Sequence, residues 1–551
     1  MKFKNIILLI TGALLICSCY KDLGTSEKDY KEINELKIEG IDQIYSKDVD
    51  DSLKITPKLT GTQYSDTSKF TYEWEIDNKI VSTKLNLGIL IDFLPGNKVS
   101  RFIVKDKENG IKKYFRFDVN VSSSTAGNLI MVLSKSRGKA ELSYLRLDKP
   151  SNWAVNYFEE RYGQPLGTNP KQLGFMLLES ASVKTYPFVN SFGRILVLAD
   201  DQVRLLDKSS LNPDATPYLT GEAYTGISSY PPADISGYKP EFFSEGISIW
   251  RSNAYGTGFQ KMNYFNMISG GAIYFATLAP SVWSPGFYFN KKSVYGTNGY
   301  FSAFGYYDDM IPTANNNLFQ HGYSLGNFMV FDKVYGRFAY SSYGSSYNIP
   351  VTDVKAFPGC DLIYGSATSQ AGTSFAVLKE SNDALKLVLL GKLASNKYAF
   401  TGEVSGGTAN ASSRFYNMKT SPYVFFTSGN KLYKYNILDI KSSRAPSTDN
   451  VAITLSDYGY AADAVITSIC VSRTEMTLII GVSRYGTDKQ GAGTENKGDI
   501  LVFNLDKTTL ELTLNKKHQA ISGIPVDVQI KYQTHWRDGR SNGGVTLLDN
   551  I

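Results

Sequence analysis

One hairpin theme recurs along most of this chain: an apolar strand, a polar turn, and a second apolar strand that closes on aspartate. Leu129 to Leu133 is followed by Leu142 to Leu147 and Asp148, Ile195 to Leu198 by Val203 to Leu206 and Asp207, and Tyr423 to Phe426 by Leu432 to Leu438 and Asp439; a further closing strand, Ile500 to Leu505, ends on Asp506. A short unit repeated in this way cannot bury its apolar faces alone, so the copies must stack on one another. Asp148 to Asp207 is 59 residues, Asp207 to Asp439 is 232 or four steps of 58, and Asp439 to Asp506 is 67. Intermediate copies are expected near residues 265, 323 and 381, and hairpin-like text lies close by at Gly271 to Leu278, Phe328 to Tyr340 and Phe375 to Leu390. The spacing predicts a β-propeller of about seven blades over residues 125–551, with six or eight as the neighbouring counts. Familiar repeats use ~40 to 50 residues per blade, so the excess implies extended loops. Nothing reads as a sustained helix, and the near-constant spacing disfavours two β-sandwiches in series.

A separate all-β module precedes the repeats, over residues 34–124. In Tyr114 to Val121, Phe115, Phe117, Val119 and Val121 share one face and Tyr114, Arg116, Asp118 and Asn120 the other, the pattern of a half-buried strand. Asn109-Gly110 supplies turn residues before it, and Arg101 to Val104 a partner strand. Upstream, Phe70 to Ile76 alternates too and puts Trp74 where an immunoglobulin-like sandwich buries a Trp between its sheets.

The N-terminus carries an address. Lys2 and Lys4 precede an apolar run from Ile6 to Ile16 and then Cys17-Ser18-Cys19. The run falls short of the ~20 apolar residues that span a bilayer, so it is expected to be a cleaved signal, residues 1–18, rather than an anchor helix. The pattern resembles a bacterial lipoprotein signal, in which the small Ser18 precedes the lipidated cysteine, here Cys19. Ile16 before Cys17 is too bulky for that role, and an ordinary secretory leader is the alternative. Residues 19–33 are polar and charged, as a tether would be.

With 551 residues, 42% hydrophobic and 20% charged, the chain is expected to be globular and to hold at least two domains. A net charge of +6 with no basic block argues against a nucleic-acid partner. Beyond the leader, Cys360 and Cys470 sit in apolar runs and read as buried hydrophobes, and His321, His518 and His535 are scattered without metal-ligand spacing. No metal and no cofactor are expected.

Catalytic signatures are scarce. Propeller hydrolases bring carboxylates together across the channel, and candidate pairs exist at Asp200-Asp201, Asp308-Asp309 and Glu159-Glu160. Asp200-Asp201 sits at a hairpin turn, where Asp serves local hydrogen bonding. Asp308-Asp309 follows Tyr306-Tyr307 and alone has a binding context. The Ser-x-Asp-x-Gly-x-Thr-Trp box and G-x-S-x-G are both absent.

Aromatic residues are distributed more tellingly. Between Tyr224 and Tyr347 about a quarter of residues are Phe, Tyr or Trp, against 13% for the whole chain. Rings on loops offer flat amphipathic surface to sugars, peptide side chains or a protein partner at low entropic cost. Most single rings will pack between blades, yet Trp283-Ser284-Pro285-Gly286, Tyr306-Tyr307-Asp308-Asp309 and Trp536-Arg537-Asp538-Gly539 read as loops. Trp250, Tyr255, Trp283, Tyr288, Tyr306, Tyr307, Asp308 and Trp536 are the candidate contact residues.

Tyr72-Glu73-Trp74 and the run from Phe102 to Val121 resemble the PKD-like domains of Bacteroidota surface lipoproteins, and Tyr20-Lys21-Asp22 is similar to their short surface-export signal. The order lipobox, tether, PKD-like module, propeller resembles the lipoproteins encoded beside SusC/SusD-type importers. The resemblance implies a lipid-anchored outer-membrane subunit, facing outward, that binds oligopeptides or oligosaccharides without enzymatic activity and hands them to the importer. The alternatives are an extracellular propeller that cleaves glycans or peptides and a purely structural docking subunit.

Overall fold

In a computed structural model of the chain, the described residues are 32–49, 51–123, 125, 127–150, 153–177, 193–200, 202–207, 211, 213–218, 239–251, 259–269, 272–280, 285–292, 301–306, 328–332, 336–341, 355–370, 373–392, 398–472, 474–485 and 498–532; across the strands from 213 to 341 almost only the backbone is described. The chain divides into two compact units, residues 1–124 and 125–551.

The first unit is an immunoglobulin-like sandwich. Its five-stranded sheet runs, in spatial order, Ile44–Asp48, Lys112–Ser122, Gly96–Asp106, Phe70–Ile76 and Lys79–Ser82, the first pair parallel and the rest antiparallel. Leu36–Glu39 with Lys58–Gly61, and Ser52–Ile55 with Leu87–Leu90, form two further pairs. The period-2 pattern does what it predicts: Phe117, Val119 and Val121 are buried while Tyr114 is 49% exposed. Gly110 takes the positive φ of +75° that the turn needs, and its N–H donates to the Asp106 carbonyl at 2.9 Å. Trp74 is fully buried, stacked on Phe102 with ring centroids 4.2 Å apart, and its Nε1–H donates to the Lys84 carbonyl at 2.9 Å. That bond lets the core hold an indole without stranding its donor.

The second unit is a seven-bladed propeller, the architecture predicted by the repeat spacing. Blade two consists of Pro170–Leu177, Gly193–Ala199, Gln202–Asp207 and Pro213–Tyr218, each paired antiparallel with the next. Blade three is built alike from Phe242–Arg251, Phe259–Ser269, Ala272–Pro280 and Pro285–Lys292; blade six from Phe415–Asn417, Tyr423–Ser428, Lys431–Asn436 and Val451–Thr454; blade seven from Val465–Val471, Thr477–Ser483, Gly498–Leu505 and Leu512–Ser522. Blade four, Phe301–Tyr306, Phe328–Asp332 and Arg337–Ser341, joins blade five, Asp361–Ala367, Thr373–Lys379, Leu385–Lys392 and Tyr398–Ser405, in one sheet through a single parallel pair, Tyr306 with Ser366. Blade one takes its innermost strand, Ile524–Lys531, from the far end of the chain and pairs it with Leu129–Ser136, followed by Lys139–Arg146 and Trp153–Ala154. The innermost strands of the seven blades pack one on the next all the way round, which closes the ring.

Ring packing explains why the repeated runs are solidly apolar. In Leu129–Ser136, Leu129, Met131 and Leu133 pack with Leu173, Phe175, Ile195 and Val197 of blade two, while Ile130 and Val132 pack with Cys470, Ile479, Ile500 and Val502 of blade seven. A strand buried on both faces has no polar side to alternate with. Cys360 and Cys470 are free, buried thiols, as their surroundings predicted. The repeat phase needs one correction: the hairpin of blade three is Phe259–Ser269 with Ala272–Pro280, so the described part of Gly271 to Leu278 lies within its second strand rather than forming a hairpin. Gly523 lies where the ring closes, and a Cβ there would collide with the Lys135 backbone.

Candidate functional site

Antiparallel pairing divides the blade connections between the two ends of the ring. Connections after the first and third strands of a blade leave at one end, and those after the second strand, or leading to the next blade, at the other. At the first end, the stretches after the first strands of blades two, three and four are residues 178–192, 252–258 and 307–327, whereas those of blades five, six and seven are only 368–372, 418–422 and 472–476. At that end the longest first-strand connections are those of blades two and four.

Three of the aromatic candidates lie on described strands of blades three and four. Trp250 is the penultimate residue of blade three's first strand and pairs with Gln260; Tyr306 ends blade four's first strand and pairs with Phe328; Tyr288 lies on blade three's outermost strand opposite Thr277. Tyr255, Trp283, Tyr307, Asp308, Trp536 and Cys19 lie outside the described residues. In chain order Tyr255 and Trp283 fall between strands of blade three, and Tyr307 and Asp308 between the first two strands of blade four. Each of those breaks opens toward the same end as Trp250 and Tyr306.

The described carboxylates hold the fold. Asp200, at φ +54°, accepts hydrogen bonds from the backbone N–H of Thr168 and of Asn169 at 3.0 and 2.9 Å, the turn chemistry expected of it. Glu159 and Glu160 lie in the first turn of a short helix, Tyr157–Tyr162, and Glu159 pairs with Lys139. Glu475 is fully buried and accepts from the backbone N–H groups of Lys419 and Thr420, tying blade seven to blade six. Asp499, also fully buried, is held by the Arg484 guanidinium at 2.7 to 3.0 Å, by the Tyr460 hydroxyl at 2.8 Å and by the Ala520 N–H at 2.8 Å. Arg484→Ala leaves that charge buried without its main partner, and a loss of about 3 kcal/mol is expected in denaturant unfolding.

Glu141 gives the unit a pH dependence. It is 2% exposed and accepts from the Glu159 N–H at 3.1 Å. Burial, with the Glu159 charge adding to it, pushes its carboxyl up to about 7 against the opposing pull of backbone donors. The folded protein thus holds this proton more tightly than the unfolded chain, whose value is near 4.5. Its contribution to stability is complete below about 4.5 and is lost as pH rises through about 7. Glu141→Gln is expected to melt about 2 °C above the parent at pH 8 and level with it at pH 4.5, so a constant offset across that range would refute the assignment.

A polar group that sequence reasoning passed over sits on the innermost strands. Asp527 on blade one accepts from the Leu173 N–H of blade two at 2.8 Å and from Gln529 Nε2 at 3.0 Å. The strand that carries it, Ile524–Lys531, alternates Val526, Val528 and Ile530 with Asp527, Gln529 and Lys531. Such clean alternation is the signal that was available. Among the described residues no group of His, Cys, Asp or Glu is placed to hold a metal ion, and no helix is long and apolar enough to cross a membrane.

Residues 19–170 match the model of the PKD-like family, so the match runs through the sandwich and the first blade to the start of the second. The first unit is a PKD-like module. No curated protein sequence matches the chain. Among solved structures, a quinonprotein alcohol dehydrogenase-like protein from Bacteroides thetaiotaomicron is 12% identical over 89% of this chain and 97% of its own, with a TM-score of 0.44. An apocarotenoid oxygenase variant from Synechocystis is 9% identical over 91% and 97%, with a TM-score of 0.30. A variant of the Aleuria aurantia lectin, in complex with α-methyl-L-fucoside, is 10% identical over 82% and 96%, with a TM-score of 0.27.

Proposed function

We propose that this chain is a surface-exposed outer-membrane lipoprotein, anchored through Cys19, that serves a SusC/SusD-type importer as a non-enzymatic binding subunit for oligopeptides or oligosaccharides. The observation that carries the reading is the coincidence of the aromatic-rich stretch, residues 224–347, with blades three and four. Aromatic residues carried by a rigid scaffold suit recognition, because the scaffold fixes their positions before the ligand arrives. The N-terminal signal and the PKD-like module add the address and the spacer.

Affinity purification from native outer membranes tests the reading. An importer is expected to copurify, and alanine replacement of Trp283, Tyr306 and Tyr307 together is expected to abolish ligand binding or importer association. If neither changes, the aromatic end is the wrong surface. Importer recovery with no ligand bound would point to docking alone, and product release lost on Asp308→Asn would point to a cleaving enzyme.

A further inference from the structure

A blade ends in an outermost strand, and the far edge of such a strand invites another chain to pair unless something blunts it. Six of the seven blades are blunted. Blade one ends on two residues, Trp153–Ala154, and blade six on four, Val451–Thr454. Blade two's Pro213–Tyr218 carries Pro213 and Pro217 and slips register against its neighbour. Beside blade four's Arg337–Ser341, the Phe357 N–H donates to the Gly336 carbonyl at 2.6 Å. Blade five's Tyr398–Ser405 slips register and packs against the 3-10 helix Ile437–Ser442. Blade seven's Leu512–Ser522 slips register twice and has Lys516 and Lys517 at mid-strand.

Blade three lacks these devices. Its Pro285–Lys292 pairs with Ala272–Pro280 at all eight positions without a slip, and among the described residues nothing pairs with its far edge. Every second residue of an antiparallel strand turns its N–H and C=O away from the partner, so about four residues here present main chain outward. Gly286 to Asn290 carry no charge, and Phe287, Tyr288 and Phe289 favour the extended conformation. Charge sits at one end only. The cross-strand row that ends on Lys291 runs through Phe243, Met267 and Tyr274, and the row that ends on Lys292 through Phe242, Ile268 and Ile273, so neither row contains an acidic residue.

We propose that this edge is a binding site for an extended oligopeptide, which adds to blade three as a fifth strand running parallel to Pro285–Lys292, its C-terminal carboxylate beside Lys291 and Lys292. The site selects the peptide branch of the ligand-binding reading above and rests on that reading for its purpose. Main-chain pairing is indifferent to side chains, so one edge serves peptides of many sequences. Phe287 and Phe289 fall on one face of the strand and Tyr288 on the other, which gives an added strand an aromatic position on each face. A sugar has no ladder of donors and acceptors repeating every ~7 Å to match the edge. A second copy of the chain would match it, but with Tyr288 opposite Tyr288 each Lys291 falls opposite Pro285, so self-pairing brings further lysines and no carboxylate. Parallel pairing is slightly weaker per residue than antiparallel, and the lysines set the direction.

Fluorescence anisotropy of the detergent-solubilised full-length protein with N-terminally labelled, uncharged octapeptides tests it. Binding is expected, weakened about 10-fold by C-terminal amidation and as much by Lys291→Ala with Lys292→Ala, and the amidated peptide should no longer sense the lysine change. A single N-methyl group walked along the peptide should abolish binding at every second position, the signature of a ladder. Of Phe287→Pro and Tyr288→Pro, the one that removes an outward N–H should abolish binding while the propeller still melts cooperatively; the N-methyl series gives the readout if both variants fail to fold. No peptide bound, N-methyl losses without a two-residue period, affinity indifferent to the lysines, or a dimer that dissociates in Tyr288→Pro would each overturn the proposal. A neutral oligosaccharide bound in place of peptide would overturn it and leave the ligand-binding reading standing. Peptide bound with this pattern, but no importer recovered, would support the site while removing the importer role.

Discussion

A chain ended at Gly523 is expected to lose the cooperative melting transition of its propeller unit. The missing strand, Ile524–Lys531, pairs with Leu129–Ser136 from Leu129 opposite Lys531 to Lys135 opposite Ile524. Val528 and Ile530 are buried between blades one and seven, and each such side chain is worth ~1.5–3 kcal/mol in place. The Val528 N–H donates to Ser468 Oγ at 2.9 Å and Asp527 accepts from Leu173, so the same strand fastens blade one to both neighbours. Without it the inner edge of Leu129–Ser136 is bare, and the apolar faces of Ile130, Val132, Cys470 and Ile479 lose their cover. The combined loss rivals the whole ~5–15 kcal/mol by which a folded domain is stable. Calorimetry and dye binding to exposed apolar surface would show it, and a melt within about 5 °C of the full chain would disprove it. Val528→Asp, which keeps the strand and buries a charge in the seam, should lower the melting temperature by the same route.

Trp74→Ala is expected to cost the PKD-like module about 3–5 kcal/mol, the range for emptying a large aromatic site. Trp74 lies between Phe102, stacked at 4.2 Å, and Phe117, edge-on at 5.9 Å, so its removal leaves a cavity with rings on two sides. It also removes the donor to the Lys84 carbonyl. Trp74→Phe keeps most of the volume and should cost far less. Peptide-level hydrogen exchange on the full-length protein is the measurement: protection around Phe102 and Phe117 should collapse in the alanine variant and persist in the phenylalanine one.

Much of this was legible in the chain because it is local. Phe115 to Val121 showed its buried face because one side of that strand meets water, and the alternation survives in the letters. The hairpins of blades one, two and six, and the closing strand of blade seven, were found because runs buried on both faces stand out between polar turns. Blade three was misphased: no aspartate marker lies near the break between Phe259–Ser269 and Ala272–Pro280, and its long strands share one aromatic composition. Asp200 was rightly taken as a turn residue, since the preference of Asp for such turns is itself local.

The sequence by itself determined the strands, their turns, the two-unit division near residue 124 and an approximate blade count, because each follows from periodicity within a few dozen residues. Only the tertiary structure decided how the ring closes and that Asp527 meets Leu173 in the innermost layer. Those outcomes depend on pairing between strands hundreds of residues apart, where the partner leaves no mark in the neighbouring letters. Met131 opposite Gln529 is one such pair. A β-ladder is held by backbone hydrogen bonds that every residue but proline can make, so side chains alone do not say which distant strand will complete the sheet.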